Sequence, residues 1–386
     1  MKLLQQEIIN NLKLVLGKKK IILHEPDLDN KDLIHIKKCF NSGMVSTAGA
    51  YVSKFENEIK KITNSKYVIS VTNGTVGLFI SLLTAGVKQN DEVLLPAITF
   101  VATANAVAQC HAIPHFVDIE NDTLGIDADK LEKYLLKKNY IKNNSCFNKR
   151  SKRKIKAIIP VHIFGHPCEI EKILKVSRKF KLTVIEDAAE GIGSYYKKKH
   201  VGNFGLLGVF SFNGNKIVTS GGGGAIITNN KSLYKRIKHI CTTAKVAHSW
   251  KYLHNEVGYN FRMPAINAAL GYSQLLKLKV FVRKKTQLYK IYKELFNSNR
   301  DIKIMPSPKH CKSNFWLQTM ILSGKTKKFK NKIINECHLS GIKVRPLWDL
   351  ISTLKMYKNC PKMNLDNSKK AYESIINLPS SSSIIK

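Results

Sequence analysis

The sequence predicts an α/β protein: a large domain with a mostly parallel seven-stranded sheet flanked by helices, and a smaller C-terminal α+β domain. Three observations carry that expectation. Seven short apolar, β-branched runs recur between about residues 66 and 230, with helical patterns between them. Several of these runs are apolar on both faces, as parallel strands covered by helices on each side must be. Beyond about residue 262 the alternation gives way to one long helical stretch and a shorter mixed segment. A chain of 386 residues also exceeds what one core usually holds, so two domains are expected.

The elements follow in order. "MKLLQQEIINNLKLVLG" has apolar residues at helical spacing, interrupted by Gln, Asn, Glu and Lys. A signal peptide needs an unbroken apolar run, so residues 1–20 are expected as a retained amphipathic helix. The strand runs are "KYVISVT", "DEVLLPAIT", "AIPHFVDI", "KAIIPVHIF", "LTVIEDAA", "LGVFSFN" and "GAIITNN". "GTVGLFISLLTAGV" and "ADKLEKYLLKKNYI" read as helices, the first starting directly after a strand and a Thr-Asn-Gly turn. The Asn-, Lys- and Arg-rich block at 139–156 reads as an exposed insertion. "MPAINAALGYSQLLKLKVFVRKKTQLYKIYKELF" reads as one long helix, with Pro264 suited to its start. The expected boundaries are an N-terminal helix at 1–20, the large domain at 21–262, and a connecting helix with the small domain at 263–386.

Composition narrows the function classes. No run approaches ~18 apolar residues, so no membrane-spanning helix is expected. Eight cysteines are scattered without a C-x-x-C pair or zinc spacing, which fits free thiols, no metal and a cytoplasmic protein. The net charge is +37, which would suit a nucleic-acid partner. However, only eight of the 64 basic residues are Arg, the side chain that phosphate-reading surfaces favour for its bidentate fork. Lys, Ile and Asn are abundant together, as A/T-rich codons would make them. Compositional drift is therefore preferred over a nucleic-acid function, and a positive field would also steer an anionic small substrate.

Three local patterns carry chemistry. Gly74 and Thr75 open a helix directly after a strand, where unpaired backbone N–H groups suit a phosphate. Asp187 stands at the end of the apolar strand run "LTVIEDAA", where open α/β sheets bind ligands. Read alone it is a helix N-cap; beside a ligand it could pair with a cationic ring nitrogen. In "SFNGNKIVTSGGGG", Ser211 could hold a phosphate and Lys216 could form a Schiff base with an aldehyde. Together they match what pyridoxal 5′-phosphate requires: a phosphate cradle, an acidic partner for the ring nitrogen and an imine-forming lysine. Phe100 adds an aromatic face for the ring.

At these residues the chain resembles the DegT/StrS nucleotide-sugar aminotransferases, of the fold type I class of pyridoxal phosphate enzymes. "TNGTVGL", "PAITFVATANAV", "PVHIFGH", "IEDAAEGIGS", "SFNGNK", "GYNFRMPAINAALG" and "INLPSS" all fit family motifs. The "SFNGNK" form, the helix before "LHEP", "TTAKVAHSW" and "VRPLW" resemble a branch that aminates UDP-linked 4-keto-6-deoxy-N-acetylhexosamines. The resemblance implies a homodimer with shared active sites, and glutamate and 2-oxoglutarate as the amino donor pair. Lys216 would carry the cofactor and Asp187 would pair with its ring nitrogen. Gly74, Thr75 and Ser211 would hold the phosphate, and Phe100 would stack on the ring. Asn260 would reach the neighbouring subunit's phosphate, and His162 would lie near the substrate. Glu190 departs from the commoner Gln or His near the ring's phenolic oxygen; a carboxylate there is repulsive unless protonated or reoriented. GDP-perosamine-type and C3 amination are the alternatives within the family. Related dehydratases of this fold carry His at the lysine position, so Lys216 favours transamination, and together with Asp187 it argues against a regulator without turnover.

Overall fold

The computed structural model describes residues 2–17 and 21–385. All seven apolar runs form strands of one sheet: β1 (Tyr67–Val71), β2 (Glu92–Pro96), β3 (Ile113–Val117), β4 (Lys154–Ile158), β5 (Thr183–Asp187), β6 (Leu207–Ser211) and β7 (Gly224–Thr228). Their order across the sheet is β1-β7-β6-β5-β4-β2-β3. Only β7 runs against its neighbours; the other contacts in the series are parallel. β6 and β7 are buried at every residue, which explains why these runs lack polar alternation.

Helices cover the sheet between strands. The one that follows β1 spans Gly74–Thr84, and its Asn73 cap accepts a hydrogen bond from the Val76 N–H at 2.9 Å. Helix Ala102–Gln109 follows β2, and helix Ala128–Lys138 follows β3. The core formed here includes Ile69, Leu95, Phe116, Ile158, Ile185 and Val209, all fully buried.

The block at 139–156 departs from the expected loop. Asn139–Lys142 and Ser145–Asn148 form a hairpin that pairs onto β4. Asn143 and Asn144, at φ 48° and 54°, make its two-residue turn, a left-handed conformation that Asn tolerates better than most residues. Exposed Asn and Lys at the tip hide an anchored base: Cys146 is fully buried, and Asn148 Nδ2 donates to the buried Glu92 carboxylate at 3.0 Å.

The long C-terminal helical stretch is also two helices. Ala265–Leu276 packs against helices Asn30–Asn41 and Ala50–Thr63; Leu278–Leu295 continues beyond a break at Lys277. Lys277 Nζ is held at the break by Asp32 at 2.7 Å and Asp29 at 3.2 Å. Pro264 stands at the cap, immediately before the first helical residue. Four C-terminal strands, among them Gln318–Leu322 and Ile375–Leu378, form a separate antiparallel sheet. The N-terminal helix, Lys2–Leu16, joins this region and not the large sheet. Its Ile8 and Leu12 are fully buried beside Leu288, Tyr292, Ile333 and Met320.

Candidate active site

The strand ends gather the predicted residues. Asp187 ends β5, Ser211 ends β6, and Gly74 opens the helix that follows β1. In this part of the sheet these are the carboxyl ends of parallel strands, where α/β sheets leave a crevice for ligands.

The glycines bring the phosphate elements together. A Cβ on Gly74 would lie 3.0 Å from the Ser211 Cβ, so the helix start and the serine are in direct contact. A Cβ on Gly224 would lie 2.5 Å from the Asn73 carbonyl carbon and 2.8 Å from the Gly74 nitrogen. Of the four-glycine run, Gly223 and Gly224 are therefore required by close approach, and Gly221 by its φ of +77°. Asn73 takes the Val76 N–H, and the first helical N–H groups, of Gly74 and Thr75, have no intrahelical acceptor. Such a helix start could hold a phosphate. Gly224→Ala is expected to destabilise the protein by roughly 1–3 kcal/mol, because backbone and not a flexible side chain must yield. It should also weaken cofactor binding, and thermal melting with cofactor titration measures both. An unchanged melting point would refute this packing.

Asp187 is buried, and its carboxylate has two donors: the Thr103 hydroxyl to Oδ2 at 2.7 Å and the Ala189 N–H to Oδ1 at 3.1 Å. Burial pushes its pKa up; Thr103, Ala189 and the Lys216 charge only partly oppose this. A buried carboxyl without a close cation is suited to a cationic ring nitrogen. The preceding Glu186 points to the opposite face of the strand. It accepts from the N–H groups of Gly202, Phe204 and Gly205 at 2.8, 2.6 and 2.7 Å and from His162 Nε2 at 3.0 Å. This network fixes the strand end that carries Asp187.

Lys216 is nearly buried, its side chain 12% exposed. Its Nζ lies 3.3 Å from Glu190 Oε1 and 3.9 Å from the centroid of the Trp316 ring. Glu190 Oε2 accepts from the Phe164 N–H at 2.7 Å. Both carboxyl oxygens are thus engaged, and burial pushes the pKa of Glu190 up. These two donors offset part of the cost of burying a carboxylate here. Glu190→Gln keeps an acceptor for Phe164 and removes the carboxylate charge. It is expected to retain kcat within about tenfold; a loss beyond a hundredfold would show that Lys216 requires an ionised carboxylate.

The other expected residues divide. Phe100 is 53% exposed at the start of the helix that carries Thr103, with its ring 6.2 Å from that of Trp348. Its exposed face leaves room for stacking. Asn260 is exposed and pairs with Thr242, with no hydrogen bond to Lys216 or Asp187 among the described residues. His162 is fully buried, with Nε2 on Glu186 and Nδ1 accepting from the Cys168 N–H at 3.2 Å. In this conformation it offers a substrate no atom; it supports the strand end from within.

Sequence reasoning missed Thr103, Trp316 and Asn314. Thr103 follows Phe100 by three residues, one helical turn, so the spacing could have suggested it. Asn314 Nδ2 donates to the Glu190 and Ile192 carbonyls, both at 2.8 Å, and its Oδ1 accepts from the Trp316 N–H at 2.8 Å. Trp316 Nε1 donates to the Asn215 carbonyl at 2.7 Å. Both belong to the C-terminal region, over 90 residues from Lys216, and no local pattern announces them.

Among the described residues no helix is long and apolar enough to cross a membrane, and no group of three or more His, Cys, Asp or Glu could hold a metal. Residues 26–386 match the model of the DegT/DnrJ/EryC1/StrS aminotransferase family. The chain is 34% identical to the GDP-perosamine synthase of Escherichia coli O157:H7, over 88% of this chain and 87% of that one. It is 31% identical to the Vibrio cholerae GDP-perosamine synthase, over 93% and 94%. The solved structure of Helicobacter pylori PseC, an aminotransferase involved in the biosynthesis of pseudoaminic acid, superposes with a TM-score of 0.84 at 27% identity, covering 94% of each chain. The relatives named here do not single out the UDP-linked branch that the motifs suggested. By these matches the chain belongs to the DegT/DnrJ/EryC1/StrS aminotransferase family and is a pyridoxal phosphate-dependent sugar aminotransferase of the fold type I architecture.

Proposed function

We propose that the enzyme transfers the amino group of glutamate to the C4 keto group of a GDP-linked 4-keto-6-deoxy sugar. The reading of the sugar rests on one observation, the near full-length likeness to GDP-perosamine synthases. The UDP-linked 4-keto-6-deoxy-N-acetylhexosamine is the second reading, favoured by the motif forms and by the likeness to an enzyme of pseudoaminic acid biosynthesis.

Bound pyridoxal phosphate supplies an aldehyde that takes up the amino group and a ring that accepts electrons as the substrate Cα–H bond breaks. The residues present fit it. The N–H groups of Gly74 and Thr75 and the Ser211 hydroxyl bind the phosphate, and Phe100 covers one ring face. The Asp187 carboxylate keeps the ring nitrogen protonated. Lys216 Nζ would hold the cofactor, and its free amine would carry the substrate proton as general base and then acid. Glu190 Oε1 and the Trp316 ring hold that amine while it is free. Asn260 reaches the partner's phosphate in a homodimer; exposed Phe40, Trp250, Tyr252 and Val257, at 68%, 77%, 83% and 81%, supply apolar surface for such an interface.

The test is product analysis with glutamate and GDP-, UDP- and dTDP-linked 4-keto-6-deoxy sugars. The highest kcat/KM is expected for the GDP-linked substrate, with nitrogen at C4 by NMR. A tenfold preference for the UDP-linked sugar, or amination at C3, would overturn the assignment.

A further inference from the structure

One buried polar side chain near Lys216 has no part in the chemistry above. His24 is 8% exposed, and both its ring nitrogens are buried without a hydrogen-bond partner among the described residues. Buried polar groups are nearly always paired, so an orphaned imidazole beside a reactive lysine points to a ligand contact. Its backbone is not loose. The Leu23 carbonyl accepts from the Ser380 N–H at 2.7 Å, and the Glu25 N–H donates to Ser381 Oγ at 2.8 Å. The neighbouring chain thus fixes where the ring stands while leaving both nitrogens unengaged.

The wall around it is equally defined. The His24 ring centroid lies 6.4 Å from that of Trp316, the ring on which Lys216 Nζ rests. Trp316 is held at every polar atom: its indole N–H by the Asn215 carbonyl, its backbone N–H by Asn314, and its carbonyl by Lys285 Nζ at 3.0 Å. Lys285 is itself fully buried and also donates to the Ser380 carbonyl, so it ties Trp316 to the turn that anchors residues 23–25. Lys216 Nζ thus meets Glu190 and the Trp316 ring, and His24 packs against that same ring.

We propose that His24 contacts the acceptor sugar, exchanging hydrogen bonds with one of its ring hydroxyl groups. This rests on the reading that the acceptor is a nucleotide-linked keto-sugar. Burial, and the charges of Lys285 and Lys216, hold the imidazole well below its usual pKa, so it is neutral at physiological pH. A neutral imidazole has one donor and one acceptor, and so does a hydroxyl. It brings no charge for the carboxylates of glutamate, so the two halves of the reaction should depend on it unequally.

The two half-reactions are measured separately on the cofactor-loaded enzyme. Glutamate is followed by the change in the visible cofactor band, and the keto-sugar by return of that band. His24→Phe keeps an aromatic ring and removes both polar nitrogens. It is expected to leave the glutamate half-reaction within about twofold and to lower kcat/KM for the sugar by about 10- to 100-fold. His24→Asn, which restores a donor and an acceptor, should recover part of the loss. Calorimetric affinity for the nucleotide-linked amino sugar, without turnover, should fall in step. If His24→Phe fails to fold, His24→Gln compared with His24→Leu carries the same comparison. Equal loss in both half-reactions, or an unchanged sugar half-reaction, would overturn the proposal. A wild-type enzyme that responds to glutamate but aminates no keto-sugar would instead overturn the proposed function.

Discussion

Lys216→Ala is expected to lower kcat by on the order of 10⁴-fold, since it removes both the proposed covalent anchor and the group proposed to move the substrate proton. The structural cost is small by comparison. The variant loses the contact with Trp316, a cation–π pair of roughly 0.5–2 kcal/mol, and leaves Glu190 without its partner. Burial pushes the Glu190 pKa up, so taking up a proton costs it little once its partner is gone. The folded protein and its glutamate-insensitive spectrum are therefore expected together. Lys216→Arg separates charge from chemistry. It keeps a cation near Glu190 but cannot form the imine, so it should be as inactive as the alanine variant. Activity in the arginine variant above about a tenth of wild type would show that the amine is not the reacting group.

The second large effect is expected at Asp187. Asp187→Asn lowers kcat by roughly 10²- to 10⁴-fold, because an amide cannot keep the ring nitrogen protonated. The side chain it introduces can still accept from the Ala189 N–H and hydrogen-bond Thr103, so the fold should persist. Stability should move the other way. The folded-state pKa of Asp187 is raised. Its contribution is therefore fully present below the unfolded pKa and is lost as pH rises through the folded one. The asparagine variant has no such dependence. Without cofactor, it should melt no lower than wild type at neutral pH, while wild type gains relative to it as the pH is brought down towards the usual aspartate range. A variant that is destabilised at neutral pH yet active would contradict the assigned role, since functional residues are those that cost stability and supply activity.

The sheet was legible because its physics is local. Runs such as "GAIITNN" are apolar throughout, and only a strand covered on both faces asks for that. The placement of Asp187, Ser211 and Gly74 was legible because strand ends and a helix start set it without reference to distant chain, and Lys216 follows in the turn after the strand that ends at Ser211. The hairpin at Asn139–Asn148 was misread because its turn residues, Asn143 and Asn144, resemble loop composition; the buried Glu92 that anchors it lies far away in sequence. Trp316, Asn314 and His24 were not legible for a related reason. Trp316 meets Lys216, and Asn314 and His24 meet Trp316, only through tertiary packing of the C-terminal region and the segment after the first helix. Sequence periodicity carries no record of such contacts. Glu190 was recognised as unusual, but its resolution needed coordinates: the Phe164 N–H that holds it belongs to a residue at φ 56°, a backbone state no pattern predicted.

The central claim is an amino transfer in two halves through Lys216, and a single absorbance experiment tests it most directly. Protein loaded with pyridoxal phosphate should show a visible band that collapses on adding glutamate and returns on adding the nucleotide-linked 4-keto-6-deoxy sugar, with 2-oxoglutarate and amino sugar formed in equal amounts. A loaded protein whose band does not respond to glutamate would contradict it.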